Sequence, residues 1–123
     1  MASFVTSKCR PLKGSIKVPG DKSISHRSIM LGSIATGITK VSGFLQGEDS
    51  LATLNSFKEM GVQIDRQGSN VIINGVGMHG LKEPTKPLNL GNSGTSIRLM
   101  SGLLSSQTVP TRFIKADCNK RQP

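Results

Sequence analysis

The chain has almost no aromatic residues: four Phe and neither Tyr nor Trp in 123 residues. Proteins that bind single-stranded nucleic acid stack the bases on aromatic side chains, so this scarcity argues against a nucleic-acid partner. The hydrophobic core must then be built from Ile, Leu, Val and Met. Acidic residues are also few, seven against 16 Lys and Arg, and the formal net charge of +9 favours anionic partners.

Cysteines and long apolar runs are scarce as well. Cys9 and Cys118 lie far apart and fit no metal-ligand spacing, and the first residues lack the apolar middle of a secretory signal. No run approaches the ~20 apolar residues that span a bilayer. These absences predict a reduced, cytoplasmic chain without a membrane partner.

The remaining composition is that of one turn-rich globular domain, with 35% hydrophobic residues, 14 Gly and 6 Pro. In the first half, the alternation of apolar and polar residues over 14–18 predicts a strand that Pro19-Gly20 ends. Asp21 and Ser23 are capable N-caps for a helix that Gly37 stops. The apolar residues that share one side of this helix at helical spacing are Ile24, Met30, Leu31, Ile34 and Ala35.

The middle of the chain predicts a short strand over 38–41 and a second helix that opens at Glu48 and closes at Gly61. Two apolar runs at 62–64 and 71–73, separated by turn-forming residues, predict a hairpin. A mixed sheet is therefore expected. The apolar stripe of the second helix consists of Leu51, Leu54, Phe57 and Met60.

The second half predicts a short strand at 88–90, a turn over 91–94, and a helix from Thr95. Its pattern is similar to that of the first half, because a strand again leads through a Gly-containing turn into a helix with small polar residues. In both, an Arg follows four positions after the helix opening, Ser23 then Arg27 and Gly94 then Arg98. This spacing is consistent with an internal repeat.

The first turn has the residues of an anion site, because a helix N-terminus exposes unpaired N–H groups and a positive dipole. Lys22 supplies a mobile positive charge and Ser23 supplies a hydroxyl donor. Arg27, one helical turn after Ser23, can bind the same anion through two N–H groups of its guanidinium. The alternative is that Ser23 only caps the helix and the two cations are solvated. His26 fits packing or hydrogen bonding better than acid-base catalysis, since the sequence shows no carboxylate partner nearby.

In the second turn, Gly91 and Gly94 allow a small anion to approach the backbone, and Asn92 offers a side-chain donor. Thr95 is the expected helix cap. The alternative is an ordinary strand-to-helix turn with Arg98 in a salt bridge.

A nucleotide-binding P-loop is excluded by its spacing, although the sequence contains a Gly-Asp-Lys-Ser tetrapeptide. Five residues rather than four separate Gly14 from Gly20, and Asp21 places an acid where phosphate needs backbone N–H groups.

The segments PGDKSISHR at 19–27 and LGNSGTSIRL at 90–99 closely resemble the signature segments of the 5-enolpyruvylshikimate-3-phosphate synthase family. The resemblance extends over about 12–107. A related transferase that acts on a UDP-amino sugar normally has Asn after the lysine, so Ser23 favours the shikimate enzyme. The implied fold is α/β (α+β), made of repeated strand-helix units of the enolpyruvyl transferase type, an inside-out α/β barrel, and here incomplete.

The family transfers an enolpyruvyl group from phosphoenolpyruvate to shikimate 3-phosphate, with no metal or other cofactor. By resemblance, Lys22 contacts both substrates, Ser23 and Arg27 hold shikimate 3-phosphate, and Asn92 and Gly94 border the phosphoenolpyruvate site. The resemblance implies no complete set of catalytic residues in this chain, since the family's proton-transfer groups lie mostly in sequence beyond it.

The expected organisation is one partial domain over 1–123, with an N-terminal extension over 1–11 and a divergent tail over 108–123. In that tail, Gln122 aligns with an expected substrate-binding Arg and Arg121 is adjacent, so neither is assigned this role. We expect a chain that is inactive alone and is completed by a C-terminal lobe in trans. The alternatives are a non-catalytic anion-binding module and a truncated remnant without function.

Overall fold

The computed structural model describes residues 3–114, which form three helices and five short strands. The strands are short because a Gly, Pro or Asn turn follows each of the longer apolar runs. The helices are α1 Lys22–Ile34, α2 Glu48–Glu59 and α3 Gly94–Leu104, and the strands are β1 Thr36–Val41, β2 Gln63–Gln67, β3 Asn70–Val76, β4 Leu88–Asn89 and β5 Phe113–Ile114.

Three strands form an antiparallel sheet in the order β1-β3-β2. The predicted hairpin is confirmed as β2 and β3, with Ile64 opposite Ile73 and Gly68 in the turn at a φ of 58°. Alternate residues of β3 point to opposite faces, so Val71 and Ile73 are buried beneath α1 while Ile72 is exposed. One face of the sheet is thus covered by helices.

The other two strands form a separate parallel pair, in which Leu88 lies opposite Phe113. The crossover between them contains α3, as parallel strands require. The predicted mixed sheet is therefore wrong for the described residues: antiparallel and parallel pairings occur in different sheets. β5 was not predicted, and it lies in the stretch over 108–123 expected to be a divergent tail, of which 115–123 is outside the described residues.

The predicted strand over 14–18 is not formed. Ile16 and Val18 are 89% and 70% exposed, and residues 3–19 have no regular structure. An alternating pattern becomes a strand when a partner strand takes its hydrogen bonds and covers its apolar face, and among residues 3–114 no strand pairs with it. The first predicted strand-helix unit therefore has its helix but lacks its strand.

The buried side of α1 agrees only in part with the predicted apolar stripe, of which Met30 is buried and Ile34 half-buried. Ile24 and Leu31 are both 60% exposed, whereas Ile29 and Met30 are buried together with His26 and Ser33. The helix approaches the sheet closely through small residues, since a Cβ added to Gly32 would lie 2.9 Å from Cδ1 of Ile73. The side of this helix that faces inward thus combines the core residues Ile29 and Met30 with a close approach at Gly32.

The core is largely aliphatic, as predicted, but it also uses two of the four phenylalanines, Phe44 and Phe57. In α2 the stripe prediction is correct for Leu54, Phe57 and Met60, which are buried, while Leu51 is half-buried. Along residues 3–114, no helix has the length and apolar character needed to cross a membrane.

Candidate anion-binding site

The first turn of α1 is capped by its own acid. Asp21 is the N-cap, and its Oδ1 accepts a hydrogen bond from the Ile24 N–H at 2.7 Å. The first intrahelical bond runs from the Ser25 N–H to the Asp21 carbonyl, so the amides of Lys22 and Ser23 precede the helical ladder. Because this carboxylate reduces the positive field at the helix end, the side chains must supply most of the attraction for an anion.

Lys22 is held by an acid on the neighbouring helix. Its Nζ donates to Oδ2 of Asp49 in the first turn of α2, with the two side chains 50% and 27% exposed. Beside this ion pair is a small cavity of about 280 Å³ lined by residues 45 and 47–50 together with Lys22. An anion that approaches Lys22 must therefore compete with Asp49 for the ammonium group.

Ser23 and Arg27 are both exposed on α1, one helical turn apart. The ion pairs formed within residues 3–114 are Lys22 with Asp49 and Lys86 with Glu59, and Arg27 takes part in neither. The guanidinium is thus available for a ligand. Ser23 is not the cap of this helix, because Asp21 performs that role.

The second turn also leads into a helix whose N-terminus is capped by a side chain, but the capping residue is a serine. Ser93, not the expected Thr95, is the N-cap of α3, and its Oγ accepts from the Ser96 N–H at 3.0 Å. Gly91 adopts a φ of 56°, which glycine accommodates most readily. Asn92 is exposed, and a Cβ added to Gly94 would meet nothing within 4 Å. The space above this helix end is open.

The two predicted repeats coincide only in part. Aligned on their caps, Lys22 and Gly94 are each the first residue of a helix, so Arg27 is the sixth residue of α1 and Arg98 the fifth of α3. One residue turns a helix by about 100°, so these two arginines do not occupy equivalent directions. Arg98 is exposed and outside both ion pairs of the described region, so the salt bridge of the alternative interpretation is not formed there.

A buried chain of hydrogen bonds links the three helices behind the two turns. His26 Nδ1 on α1 lies 2.8 Å from Thr53 Oγ1 on α2, which lies 2.9 Å from Ser96 Oγ on α3. Ser96 Oγ donates to Ser93 Oγ at 2.7 Å. All four side chains are essentially inaccessible to solvent. We refer to His26, Thr53, Ser96 and Ser93 as the polar hub.

Burial lowers the pKa of His26 from its ordinary value, since desolvation disfavours the imidazolium. Lys22 lowers this pKa further by charge repulsion, and Asp49 opposes the shift. The ring is therefore neutral at physiological pH. His26 is a buried hydrogen-bonding residue, one of the two roles that the sequence favoured for it.

The polar hub and the Lys22–Asp49 pair were not predicted from the sequence. Apart from Ser93 and Ser96, which are three residues apart, their partners are 27 to 70 residues apart, so no local spacing connects them. The only local signal was polar Ser, Thr and His at helix positions that a simple amphipathic pattern would fill with apolar groups. A groove of about 630 Å³ between α2 and β4 includes none of the five predicted site residues Lys22, Ser23, Arg27, Asn92 and Gly94.

Two helix-opening turns on one α/β scaffold, each with exposed polar or basic side chains, form the candidate anion-binding site. The family model described as EPSP synthase (3-phosphoshikimate 1-carboxyvinyltransferase) matches residues 6–115. The chain therefore belongs to the EPSP synthase family, as the two signature segments indicated.

Known proteins similar to this chain carry the same description. The 3-phosphoshikimate 1-carboxyvinyltransferase of Ruthia magnifica subsp. Calyptogena magnifica is 56% identical over the whole chain, and that of Geobacter sp. (strain M21) is 60% identical over 107 residues. A solved EPSP synthase from Acinetobacter baumannii superposes on 89% of the chain with a TM-score of 0.81 and 54% identity. The incomplete α/β fold is thus confirmed.

The chain is much shorter than these relatives. It spans 28% of the length of the Ruthia protein, 25% of the Geobacter protein and 25% of the Acinetobacter structure.

Proposed function

We propose that this chain supplies part of the substrate site of an enzyme that transfers the enolpyruvyl group of phosphoenolpyruvate to shikimate 3-phosphate, and that it is inactive alone. The observation that carries the proposal is the family match over 6–115 in a chain spanning about a quarter of its relatives' length. The shikimate pathway and aromatic amino acid biosynthesis are the corresponding biological role. Cys9, a free and exposed thiol, fits a reducing compartment, for which we propose the cytoplasm.

In this proposal the first turn binds the phosphate of shikimate 3-phosphate. Arg27 forks onto the anion, Ser23 donates its hydroxyl, and Lys22 contacts both substrates after leaving Asp49. The exposure of Ser23 and Arg27 and the absence of Arg27 from the ion pairs of the described region support these roles. Charge-assisted hydrogen bonds of this kind are stronger than neutral ones, which suits a doubly charged ligand.

The second turn borders phosphoenolpyruvate in this proposal. Asn92 supplies a donor, and Gly94 leaves room for the ligand beside the first amides of α3. Gly94→Ala tests this role cleanly, because the added methyl group meets nothing within 4 Å among residues 3–114 and is expected to leave stability unchanged. We expect weaker phosphoenolpyruvate binding at unaltered stability.

Of the acid-base groups near these turns, Glu48 lines the cavity beside Lys22 and belongs to neither ion pair of the described region, whereas the other three are engaged. Asp21 caps α1, Asp49 is paired with Lys22, and His26 is locked within the polar hub. Stabilising charge at two anions is what the turns can do. Addition and elimination of the enolpyruvyl group also require acid-base groups, which is why we propose that the chain alone does not turn over.

Calorimetric titration with shikimate 3-phosphate tests the binding role. We expect Arg27→Gln and Lys22→Met each to weaken binding about 10-fold or more, since a hydrogen bond to a charged group contributes ~1.5–3 kcal/mol. Lys40→Met, at an exposed position on β1, is the matched control and should bind normally. Equal losses of affinity in all three variants would show that binding depends on the overall charge of the chain and not on a specific site.

Complementation tests the enzymatic role. The purified chain should release no phosphate from the two substrates, whereas mixing it with the remaining three quarters of a relative, such as the Ruthia protein, should restore release that Lys22→Met abolishes. Phosphate release by the rigorously purified chain would contradict the proposed inactivity. Failure of every such mixture, with binding retained, would favour the second candidate.

The second candidate is a non-catalytic anion-binding module, which the net charge of +9 favours. In that case, anion binding survives Lys22→Ala and is lost when Lys115, Lys120 and Arg121 are neutralised. These three residues lie outside the described part of the structure.

A further inference from the structure

The polar hub has one consistent direction of hydrogen bonding. Ser93 Oγ accepts from both the backbone N–H and the hydroxyl of Ser96. Because the single proton of Ser96 Oγ is used there, Ser96 Oγ must accept from Thr53 in their 2.9 Å contact. The Thr53 proton is then also used, so Thr53 Oγ1 must accept from the ring nitrogen at 2.8 Å. That nitrogen, Nδ1 of His26, therefore carries a hydrogen.

This chain of donors sets the tautomer of the imidazole. A neutral ring with a hydrogen on Nδ1 has a lone pair on Nε2, which is buried and has no hydrogen-bond partner within residues 3–114. Without a constraint, the ring could place its hydrogen on either nitrogen. Turning the ring or moving the hydrogen would leave Thr53 Oγ1 without its donor, and an unsatisfied buried group destabilises the fold.

The hub connects the two candidate turns through side chains that are buried beneath them. His26 directly precedes Arg27 on α1, and Ser93 is the cap that directly precedes Gly94. Ser96 Oγ is also 3.5 Å from His26 Nδ1, so the second turn of α1 and the first turn of α3 are in direct contact. The hydrogen bonds of the hub depend on distance and direction, so they favour one arrangement of the helices over its alternatives, unlike apolar contacts, which tolerate sliding.

We propose that His26 is a positioning residue, fixed as the Nδ1–H tautomer by Thr53 and Ser96, that holds the first turn in register with the second. The consequence for the ligands rests on the proposed function: the hub residues contact neither substrate, yet they set where Arg27 lies relative to Gly94. Loss of the hub should therefore weaken anion binding without removing any anion-binding group.

The tautomer is tested directly by long-range proton–nitrogen correlation NMR on the chain labelled with ¹⁵N-histidine at pH 7.5. We expect the cross-peak pattern of a hydrogen on Nδ1 for His26, with exposed His79 as an internal reference. A hydrogen on Nε2, a doubly protonated ring or an averaged pattern would overturn the proposal. No ligand is required, so this result is independent of the proposed function.

Two replacements of similar size separate positioning from general packing. His26→Asn places its amide nitrogen near the position of Nδ1 and should keep the bond to Thr53, whereas His26→Gln places it near Nε2 and should lose that bond. We expect His26→Asn to bind shikimate 3-phosphate within about threefold of the unsubstituted chain and His26→Gln to bind about 10-fold more weakly, a change of 1.4 kcal/mol. Equal affinities, or the reverse order, would contradict the register role.

Thr53→Val and Thr53→Ser provide the second comparison. Valine keeps the shape of threonine but breaks the chain of donors, and serine keeps the hydroxyl. In the absence of ligand, the amide chemical shifts of both 22–27 and 93–96 should change in Thr53→Val. In Thr53→Ser they should stay close to those of the unsubstituted chain. Shifts confined to the neighbourhood of residue 53 would show that the hub does not connect the turns. If the signals move together but the unsubstituted chain binds no shikimate 3-phosphate, the proposed function fails and the positioning role stands.

Discussion

At the scale of single residues, the availability of each cation in the candidate site depends on whether a carboxylate pairs with it. Lys22 is paired with Asp49, whereas Arg27 belongs to neither ion pair of the described region although it lies on the same helix. The pair is partly exposed, so it contributes little to folding, about 0–1 kcal/mol. Its main effect is on the availability of the Lys22 ammonium group for a ligand.

Replacing Asp49 with Asn should tighten anion binding because the ligand no longer competes with a carboxylate for Lys22. We expect shikimate 3-phosphate to bind about 3- to 10-fold more tightly by calorimetry, up to ~1.4 kcal/mol, with the free energy of unfolding changed by less than ~1 kcal/mol. Glu59→Gln is the matched control, since it breaks the Lys86–Glu59 pair of 3.1 Å and changes the net charge equally. Equal tightening in both variants would contradict a specific release of Lys22.

The polar hub predicts a loss of stability in mild acid. The folded protein disfavours the protonated ring because burial, and then Lys22, lower the pKa of His26, while Asp49 only partly opposes them. The unfolded chain takes up this proton near pH 6.5, so below that pH it binds more protons than the folded chain and stability falls as pH falls.

Urea unfolding at pH 7.5 and pH 5.5 measures this loss, and His26→Asn should show a smaller decline because it has no proton to take up. Equal declines in the two proteins would assign the pH dependence to other groups.

At the scale of elements, α1 packs closely against the sheet because a glycine of β3 lies at the point of contact. A Cβ on Gly75 of β3 would lie 2.2 Å from the Ala35 carbonyl oxygen and 2.6 Å from that of Gly32. Both obstacles are backbone atoms, so no side-chain rotation relieves the overlap. This contact fixes the end of α1 and therefore the direction in which the helix presents Arg27.

The same substitution at two glycines should have opposite effects. Gly75→Ala should destabilise the fold by at least ~2 kcal/mol, because it forces α1 away from β3. Gly102→Ala should stabilise it by ~0.5–1 kcal/mol, since that glycine lies inside α3 with nothing within 4 Å of an added Cβ. Denaturant midpoints of the two variants check this, and a tolerated Gly75→Ala would show that the helix is not seated as described.

The elements that could be predicted from sequence were those with local causes. The second helix has acids at its start and glycine after its end, and the hairpin has Gly68 in its turn, so both followed from spacing. The strand over 14–18 failed because forming a strand depends on a distant partner, and β5 was missed because two residues form no pattern.

The family motifs located the site turns, and Asp21 was one of the two caps that the sequence offered for α1. The cap Ser93 was missed in favour of Thr95. The partner Asp49 depends on packing, because it lies 27 residues from Lys22.

At the scale of the whole molecule, the chain leaves apolar side chains uncovered. Phe4, Val5 and Leu12 are 89–100% exposed in the segment that precedes α1, and Ile24, Leu31 and Ile38 are exposed on α1 and β1. Exposed apolar groups in such number favour association with other proteins or other copies. A complementing lobe in trans is the partner that we propose for them.

Removing residues 1–13 tests whether the leading segment contributes to folding. We expect the free energy of unfolding to change by less than ~0.5 kcal/mol, because residues 3–13 are exposed throughout. Self-association measured by sedimentation should decrease at the same time. A large loss of stability would show that the segment packs against the domain.

The central claim is that the chain carries a preformed half-site for shikimate 3-phosphate, and a two-dimensional amide NMR titration with that ligand tests it most directly. We predict dispersed signals and saturable shifts concentrated at 20–27, lost in Arg27→Ala and retained in the matched variant Arg98→Ala. Collapsed signals, or shifts that are unspecific or persist in Arg27→Ala, would contradict the claim and leave the two motifs as marks of family membership without binding in this chain.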